Sequence, residues 1–249
     1  MPMSIMATAG HEKRPQSRRP RYNAPDVMHE MPLAHLLSRV GRLPLDLHQM
    51  ELLSSGKSAR VFYAGELSLL DAPSVSIVGT RDVSEAGRRR ASRLARELAE
   101  AGVTVVSGLA KGVDTASHES AIEARGATVA VIGTPLNKAY PAENAALQEE
   151  IYRNHLLITP FAPTDPVFKG NFPARNKVMA AISDATVIIE ASDTSGTLHQ
   201  AAECQRLGRW LFILRSVVET PSVSWPSRFL RGEKALVIDT TDDIISRIS

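Results

Sequence analysis

The stretch "SIVGTRDVSEAG", Ser76 to Gly87, decides the fold. A short β-branched run enters a glycine and a helix start follows, as a nucleotide-binding strand–turn–helix opens. The second glycine of a dinucleotide fingerprint is missing, and Arg81 stands in its place. That glycine lets a pyrophosphate approach bare backbone. A long side chain with a planar, permanently charged fork suits an anion held further out, such as the backbone of a strand. Beyond the turn, Ala91, Leu94, Ala95, Leu98 and Ala101 recur at helical spacing and predict a buried stripe over 84–101. Ser84 is a good N-cap, since its hydroxyl can accept from free first-turn amides. Gly102 closes the helix, as glycine does in a left-handed cap. Arg88, Arg89, Arg90, Arg93 and Arg96 fall mostly off the stripe and form either a solvated face or a track for phosphates.

Outward from this unit the chain alternates. "VTVVSG", "ATVAVIG", "LLIT", "ATVIIEA" and "WLFIL" read as strands. Between them "DTASHESAIEAR", "AENAALQEEIYRN", "PARNKVMAAIS" and "GTLHQAAECQRLG" read as helices, and "FLRGEKALVID" with "TDDIISRI" as an αβα-like tail. Short apolar strands separated by amphipathic helices imply an α/β fold, a doubly wound, mostly parallel sheet with helices on both faces. Residues 73–249 form this domain. Residues 31–72 read as a short helical lead-in that "DAP" (Asp71–Pro73) ends, and 1–30 as a disordered basic arm.

The 249 residues, 43% hydrophobic and 22% charged, suit one water-soluble domain with an appendage. The single cysteine, Cys204, rules out an internal disulfide and fits a cytoplasmic chain. No apolar run reaches the ~18 residues of a membrane span, and the N-terminus lacks a signal-peptide core. The net charge of +2 is uneven. Lys13, Arg14, Arg18, Arg19 and Arg21 face one acid, Glu12, within the first 22 residues, leaving a net −2 for the rest. A polyanion must therefore find a local patch on the body. The arm either adds phosphate contacts or serves as a solubilising tail.

Ligands of a doubly wound sheet bind at the carboxyl ends of its strands. Four such ends carry small residues: Gly79, Thr80 and Arg81; "SGLAKG", with Ser107, Gly108 and Lys111; Gly133 and Thr134; and "EASDTSGT", with Ser195, Gly196 and Thr197. Each offers amides beside a helix N-terminus, and together they predict a phosphate-binding crevice. "FKGNFPARNK" adds Lys169, Arg175 and Lys177 without an acid, interleaved with Phe168 and Phe172 and with Asn176 among them. Basic residues among aromatics suit single-stranded nucleic acid, where phosphates meet charge and bases meet rings. Phe172 can equally be core, with Pro173 in the first helical turn. Asp114 and His118 read as a structural pair, Asp114 as an N-cap and His118 hydrogen-bonded below the crevice. No catalytic triad, metal-ligand spacing or cofactor motif is visible.

These motifs together resemble the DNA-processing protein A (DprA/Smf) family. The blocks that carry the likeness are "VFYAGELSLLDAPSVSIVGTR", "SGLAKGVDTASHESAIEARGATVAVIGT", "YPAEN", "FPARNKVMAAISDATVIIEA" and "SGTLHQAAECQRLGR", co-linear over about residues 60–215. The resemblance implies an extended Rossmann-like fold, sequence-nonspecific single-stranded DNA binding, a homodimer, no enzymatic role, and help in loading a RecA-type recombinase during natural transformation. It puts Arg81, Lys169, Phe172 and the "SGLAKG" and "SGT" loops in the DNA pocket. The chain departs from the family pattern at "ITPF" and "LRSV", matches poorly after Arg215, and is expected to lack the C-terminal winged helix. "TSGTLHQAAE" and "RNKVM" are also similar to LOG-type nucleoside-monophosphate phosphoribohydrolases. There a glutamate stands where this chain has Gln200. A glutamine cannot serve as general base, so the alternative is a nucleotide-binding domain without hydrolysis, or a nucleotide sensor in a defence system.

Overall fold

The computed structural model describes residues 22–44 and 59–248. In chain order the elements are β1 (His29–Pro32), α1 (Leu33–Arg39), β2 (Arg60–Gly65), β3 (Ser74–Val78), α2 (Glu85–Glu100), β4 (Thr104–Ser107), α3 (Val113–Glu123), β5 (Thr128–Val131), α4 (Ala145–Asn154), β6 (Leu156–Thr159), α5 (Asn171–Ile182), β7 (Ala185–Ile188), α6 (Thr197–Arg206), β8 (Trp210–Leu214), α7 (Arg215–Val218), α8 (Pro226–Phe229), β9 (Ala235–Ile238) and α9 (Asp242–Ile248). Nine strands among the described residues form one sheet in the order β1-β2-β6-β5-β4-β3-β7-β8-β9. From β6 to β9 all neighbours are parallel, and β2 runs against its neighbours β1 and β6. The α/β, doubly wound, mostly parallel reading is thus borne out.

The strand order carries the functional geometry. The chain builds outward from β3 through β4 and β5 to β6, then returns to lay β7 against the other side of β3 and continues to β8 and β9. The winding direction reverses between β3 and β7, and a reversal opens a crevice beyond the strands' carboxyl ends. The "GTR" turn leaves one of those two strands and "EASDTSGT" leaves the other.

Period-2 alternation assigns each strand residue to a face. Val75 and Ile77 pack with Ala91, Leu94, Ala95 and Leu98 of α2 on one face. Val78 joins Val178, Met179 and Ile182 of α5 and Ala201 and Cys204 of α6 on the other. Ser84 caps α2 as expected, accepting from Gly87 N at 3.0 Å.

Three expectations change. "VFYAGELSLL", read as helical, forms strand β2 and a 3-10 turn over Leu67–Leu70. Its β-branched and aromatic start pairs antiparallel with β6, from Phe62 opposite Thr159 to Gly65 opposite Leu156. The lead-in is locked to the main sheet by Arg42, which donates to Asp184 Oδ1 at 2.9 Å and Oδ2 at 2.7 Å, and to Ala72 O at 2.7 Å. Residues 22–30, placed in the disordered arm, include an ordered segment against α4 and the edge strand β1; residues 1–21 lie outside the described residues. Asp114 is not an N-cap, since α3 begins at Val113 with Gly112 in the capping position. Its carboxylate instead accepts from Ala110 N at 3.2 Å. His118 is fully buried and bonds Thr128 Oγ1 through Nδ1 at 2.7 Å.

Candidate functional site

A crevice of about 310 Å³ opens at the β3–β7 reversal. Its walls include nine of the fourteen residues singled out from the sequence: Gly79, Thr80, Arg81, Phe172, Arg175, Asn176, Ser195, Gly196 and Thr197. Arg81 comes from the turn after β3, Phe172 to Asn176 from the first turns of α5, and Ser195 to Thr197 from the start of α6.

The turn after β3 is fixed by backbone. Thr80 N donates to Glu190 O at 2.8 Å. The Glu190 carboxylate accepts from Ser84 Oγ at 2.6 Å and Ser84 N at 3.1 Å, joining the α2 start to the end of β7. Arg81 is exposed, and its guanidinium carbon lies 5.3 Å from the centre of the Phe172 ring. Tyr140 approaches the same ring, centroid to centroid 5.4 Å. Phe172 is half-buried, so it is neither pure core nor free, but the middle layer of an Arg–Phe–Tyr stack at the crevice mouth. Such a stack keeps the cation–π attraction of arginine for a ring and leaves the guanidinium edge open to an anion. The ring sits this close because residue 133 is glycine. A Cβ there would stand 2.8 Å from Phe172 Cδ1.

Arg175 is the floor. It is buried and donates through Nη1 to Val131 O at 2.6 Å. It reaches that carbonyl across Gly108, where any Cβ would overlap the guanidinium. Burial pulls the Arg175 pKa down, nearby Asp114 opposes the pull, and the like charge of Arg81 adds to it. Burial raises the Asp114 carboxyl, and Arg175 together with the Ala110 amide works against that rise. The pair places one fixed positive charge beneath the opening, in low dielectric, where it acts on an incoming anion with little screening.

The loop after β7 is held by Asp193, which accepts from Ser224 N and Trp225 N, both at 2.9 Å; those amides keep its carboxyl below the usual range. Ser195 Oγ donates to Thr197 Oγ1 at 2.9 Å and accepts from Thr197 N at 3.2 Å, so it caps α6. Gln200 is buried in the wall and ties layers together. With its amide in the orientation that satisfies both ends, the nitrogen donates to Asn176 O at 2.8 Å and the oxygen accepts from Ala180 N at 3.2 Å.

Five expected residues lie outside the crevice wall. Ser107 is fully buried and donates to Ile77 O at 2.7 Å, a structural bond between β4 and β3. Gly108 acts from behind, by making room for Arg175. Lys111 is exposed and paired with Glu143 at 2.6 Å. Lys169 is exposed on the approach to α5, and Lys177 is half-buried further along that helix. Sequence reasoning missed Asp114, Met179, Ser192, His199 and Gln200 as wall residues and Tyr140 as Phe172's neighbour. The Tyr-Pro at 140–141, an aromatic beside a turn-forming proline, was the available signal for the last.

No group of three or more His, Cys, Asp or Glu residues able to hold a metal occurs among the described residues, and no described helix is long and apolar enough to cross a membrane.

Comparison with known proteins bears on this geometry. A family model described as "DNA recombination-mediator protein A" matches residues 44–249, so the match continues past Arg215, where the sequence reading expected it to fail. DNA processing protein DprA of Streptococcus pneumoniae is 38% identical over 186 residues, covering 75% of this chain and 65% of that protein. The chain thus spans just under two thirds of that relative's length. The X-ray structure of DNA processing protein A from S. pneumoniae superposes with a TM-score of 0.72 at 31% identity, over 84% of this chain and 71% of the other. A structure of DNA processing protein A from Helicobacter pylori, described for its single-stranded DNA binding mode, gives a TM-score of 0.69 at 29% identity, over 82% and 91%.

Proposed function

The chain belongs to the DNA recombination-mediator protein A family, and on that premise we propose that it binds single-stranded DNA, without strong sequence preference, in the β3–β7 crevice. The observation that carries this reading is the Arg81–Phe172–Tyr140 stack above the buried Arg175. Single-strand binders combine rings on which any base can stack with cations that follow the backbone. In this arrangement Arg81 offers its fork to a phosphate, and Phe172 and Tyr140 offer edges and faces to bases. Arg175 supplies a fixed charge below them. Lys169, Lys177 and Lys111 lie outside the wall and take phosphates of neighbouring nucleotides, Lys111 by exchanging its exposed Glu143 partner. The hydroxyls and amides of Ser195, Gly196 and Thr197 line the opposite wall, next to the N-terminus of α6 with its partial positive charge.

On this reading the protein is a mediator and not an enzyme: it holds the strand for a RecA-type recombinase and works as a homodimer. The nucleotide-hydrolase alternative is disfavoured by Gln200, whose amide is used in binding Asn176 and Ala180 and carries no charge for general-base work. The test is fluorescence anisotropy with labelled oligo-dT and a matched duplex across a salt series. Salt-dependent binding that prefers the single strand supports the reading. Absence of binding, with thermal stabilisation by a mononucleotide, would replace it with the nucleotide-binding alternative.

A further inference from the structure

The point at which the basic arm joins the body is fixed. Tyr22 Oη donates to Leu136 O at 2.7 Å and accepts from Gln148 Nε2 at 2.8 Å, and the same amide donates to Lys138 O at 3.2 Å. The next residue, Asn23, donates its backbone N–H to Glu149 Oε1 at 2.7 Å, and its carbonyl accepts from Tyr152 Oη at 2.9 Å. Helix α4 enters from the carboxyl edge of the sheet and returns to begin β6, so Gln148 lies nearer that edge than Tyr152. The chain at residue 22 is therefore at the edge that carries the crevice. Leu136 and Lys138 belong to the loop after β5. The start of that loop, Gly133, touches the Phe172 ring, and its end, Tyr140, stacks near the same ring. One loop thus seats both the crevice aromatic and the anchor of the arm.

Immediately before Tyr22 stand Arg18, Arg19 and Arg21, with Arg14 and Lys13 further back. At no more than about 3.6 Å per residue, the first three have their Cα atoms within about 15 Å of Tyr22. The nearby carboxylates are engaged, Glu143 by Lys111 and Glu149 by Asn23. Lys138, exposed on the shared loop, donates to the carbonyl of Asp165 at 3.3 Å, a neutral acceptor that leaves its charge available.

We infer that the arm is a second phosphate-binding element of this same site, tethered by Tyr22 so that Arg18, Arg19 and Arg21 take the length of single strand that leaves the crevice on its Tyr140 side. The inference rests on the single-stranded DNA reading. A tether raises the effective concentration of the second element at the strand, so affinity grows without new contacts inside the crevice. A solubilising tail would need neither the anchor nor its position.

The experiment uses the full chain, its Arg18→Gln/Arg19→Gln/Arg21→Gln variant and Tyr22→Phe, each titrated across salt with oligo-dT of about 6 and about 25 nucleotides, lengths that bracket a single-strand site. On the longer oligomer the triple variant should lower the salt slope by up to about 2, at about 0.7 for each phosphate it no longer neutralises, and weaken low-salt binding by about tenfold. On the shorter one it should change affinity less than about twofold. Tyr22→Phe keeps every charge and the ring, and should weaken the longer oligomer alone. An unchanged slope in the triple variant, equal weakening on both lengths, or full affinity in Tyr22→Phe overturns the tethered arm while the crevice reading stands. If the unaltered chain binds neither oligomer at any salt, both fall.

Discussion

Gly108→Ala is a one-methyl change with a large expected effect. The new Cβ would overlap Arg175, with Nη2 only 2.6 Å away, and it is built on strand-end backbone that cannot retreat. The guanidinium must leave. Its departure breaks the 2.6 Å bond to Val131 O, a charge-assisted interaction of about 1.5–3 kcal/mol. It also takes the neighbouring cation from buried Asp114 and leaves that carboxylate to its backbone donor, the Ala110 amide. Breaking a buried charge pair costs about 3–5 kcal/mol, so the variant should be destabilised by about 3–5 kcal/mol in urea unfolding, the two effects overlapping because one displacement causes both. The cost should depend on pH with a defined sign. Asp114 already has a raised folded pKa, and losing Arg175 raises it further. Between its unfolded value of 3.8 and the folded value, the native state binds more protons than the unfolded state, so stability falls as pH rises. The penalty should therefore be larger at pH ~7 than at pH ~4. A double-mutant cycle with Arg175→Met isolates the cause, since the shorter apolar chain relieves the clash, and a coupling of at least about 1 kcal/mol is expected. A Gly108→Ala penalty under about 0.5 kcal/mol, or strict additivity with Arg175→Met, would refute the overlap argument.

Other consequences are more local. Arg81→Ala should weaken oligo-dT binding by about 1–3 kcal/mol with an unchanged melting temperature, because the side chain is exposed; intact affinity at physiological salt, read by anisotropy, would remove Arg81 as the phosphate clamp. Arg42→Met leaves Asp184 without its two-pronged partner and should cost about 3 kcal/mol, the lower end for a buried pair because the Asp184 side chain is a quarter exposed; an unchanged urea midpoint would show that the lead-in docks by other contacts. His118 is held neutral by burial, its pKa pushed down to about 3, and its Nε2 has no hydrogen-bond partner among the described residues. Between pH 6.5 and about 3 the unfolded state binds the extra proton, so stability is full above 6.5 and falls with acid, by at most about 5 kcal/mol. His118→Gln should flatten that acid limb, and an unaltered limb would mean other groups produce it.

Most of the fold was legible because strands and helices of a doubly wound sheet differ in hydrophobic period, and helix ends carry their own signals. Ser84 and Gly102 bracket α2 in the sequence as in the structure. What failed lay where period and partner disagree. "VFYAGELSLL" spaces its apolar residues like a short helix, but its shape is decided by the open edge of β6, which no local pattern records. Asp114 looked like a cap because acids favour helix starts, yet Gly112 takes the cap position and frees Asp114 to face Arg175. The crevice itself was half legible. Small residues at four strand ends pointed to it, but only the strand order shows that the ends of β3 and β7 meet. Gly108 and Gly133 read as turn glycines and act instead as clearances for Arg175 and Phe172, a role visible only once the opposing side chain is placed. Tyr140 was passed over because it meets Phe172 from a distant part of the chain, across two intervening elements.

Photo-crosslinking tests the central claim most directly. Oligo-dT carrying 5-iodouracil would be irradiated with the full chain and the adducts mapped by mass spectrometry. If the strand lies across the Arg81–Phe172–Tyr140 stack, adducts will fall on Phe172 and Tyr140, and Phe172→Leu will abolish the first of them. Adducts confined to the arginine face of α2, with none at either ring, would contradict the account and move the strand off the crevice.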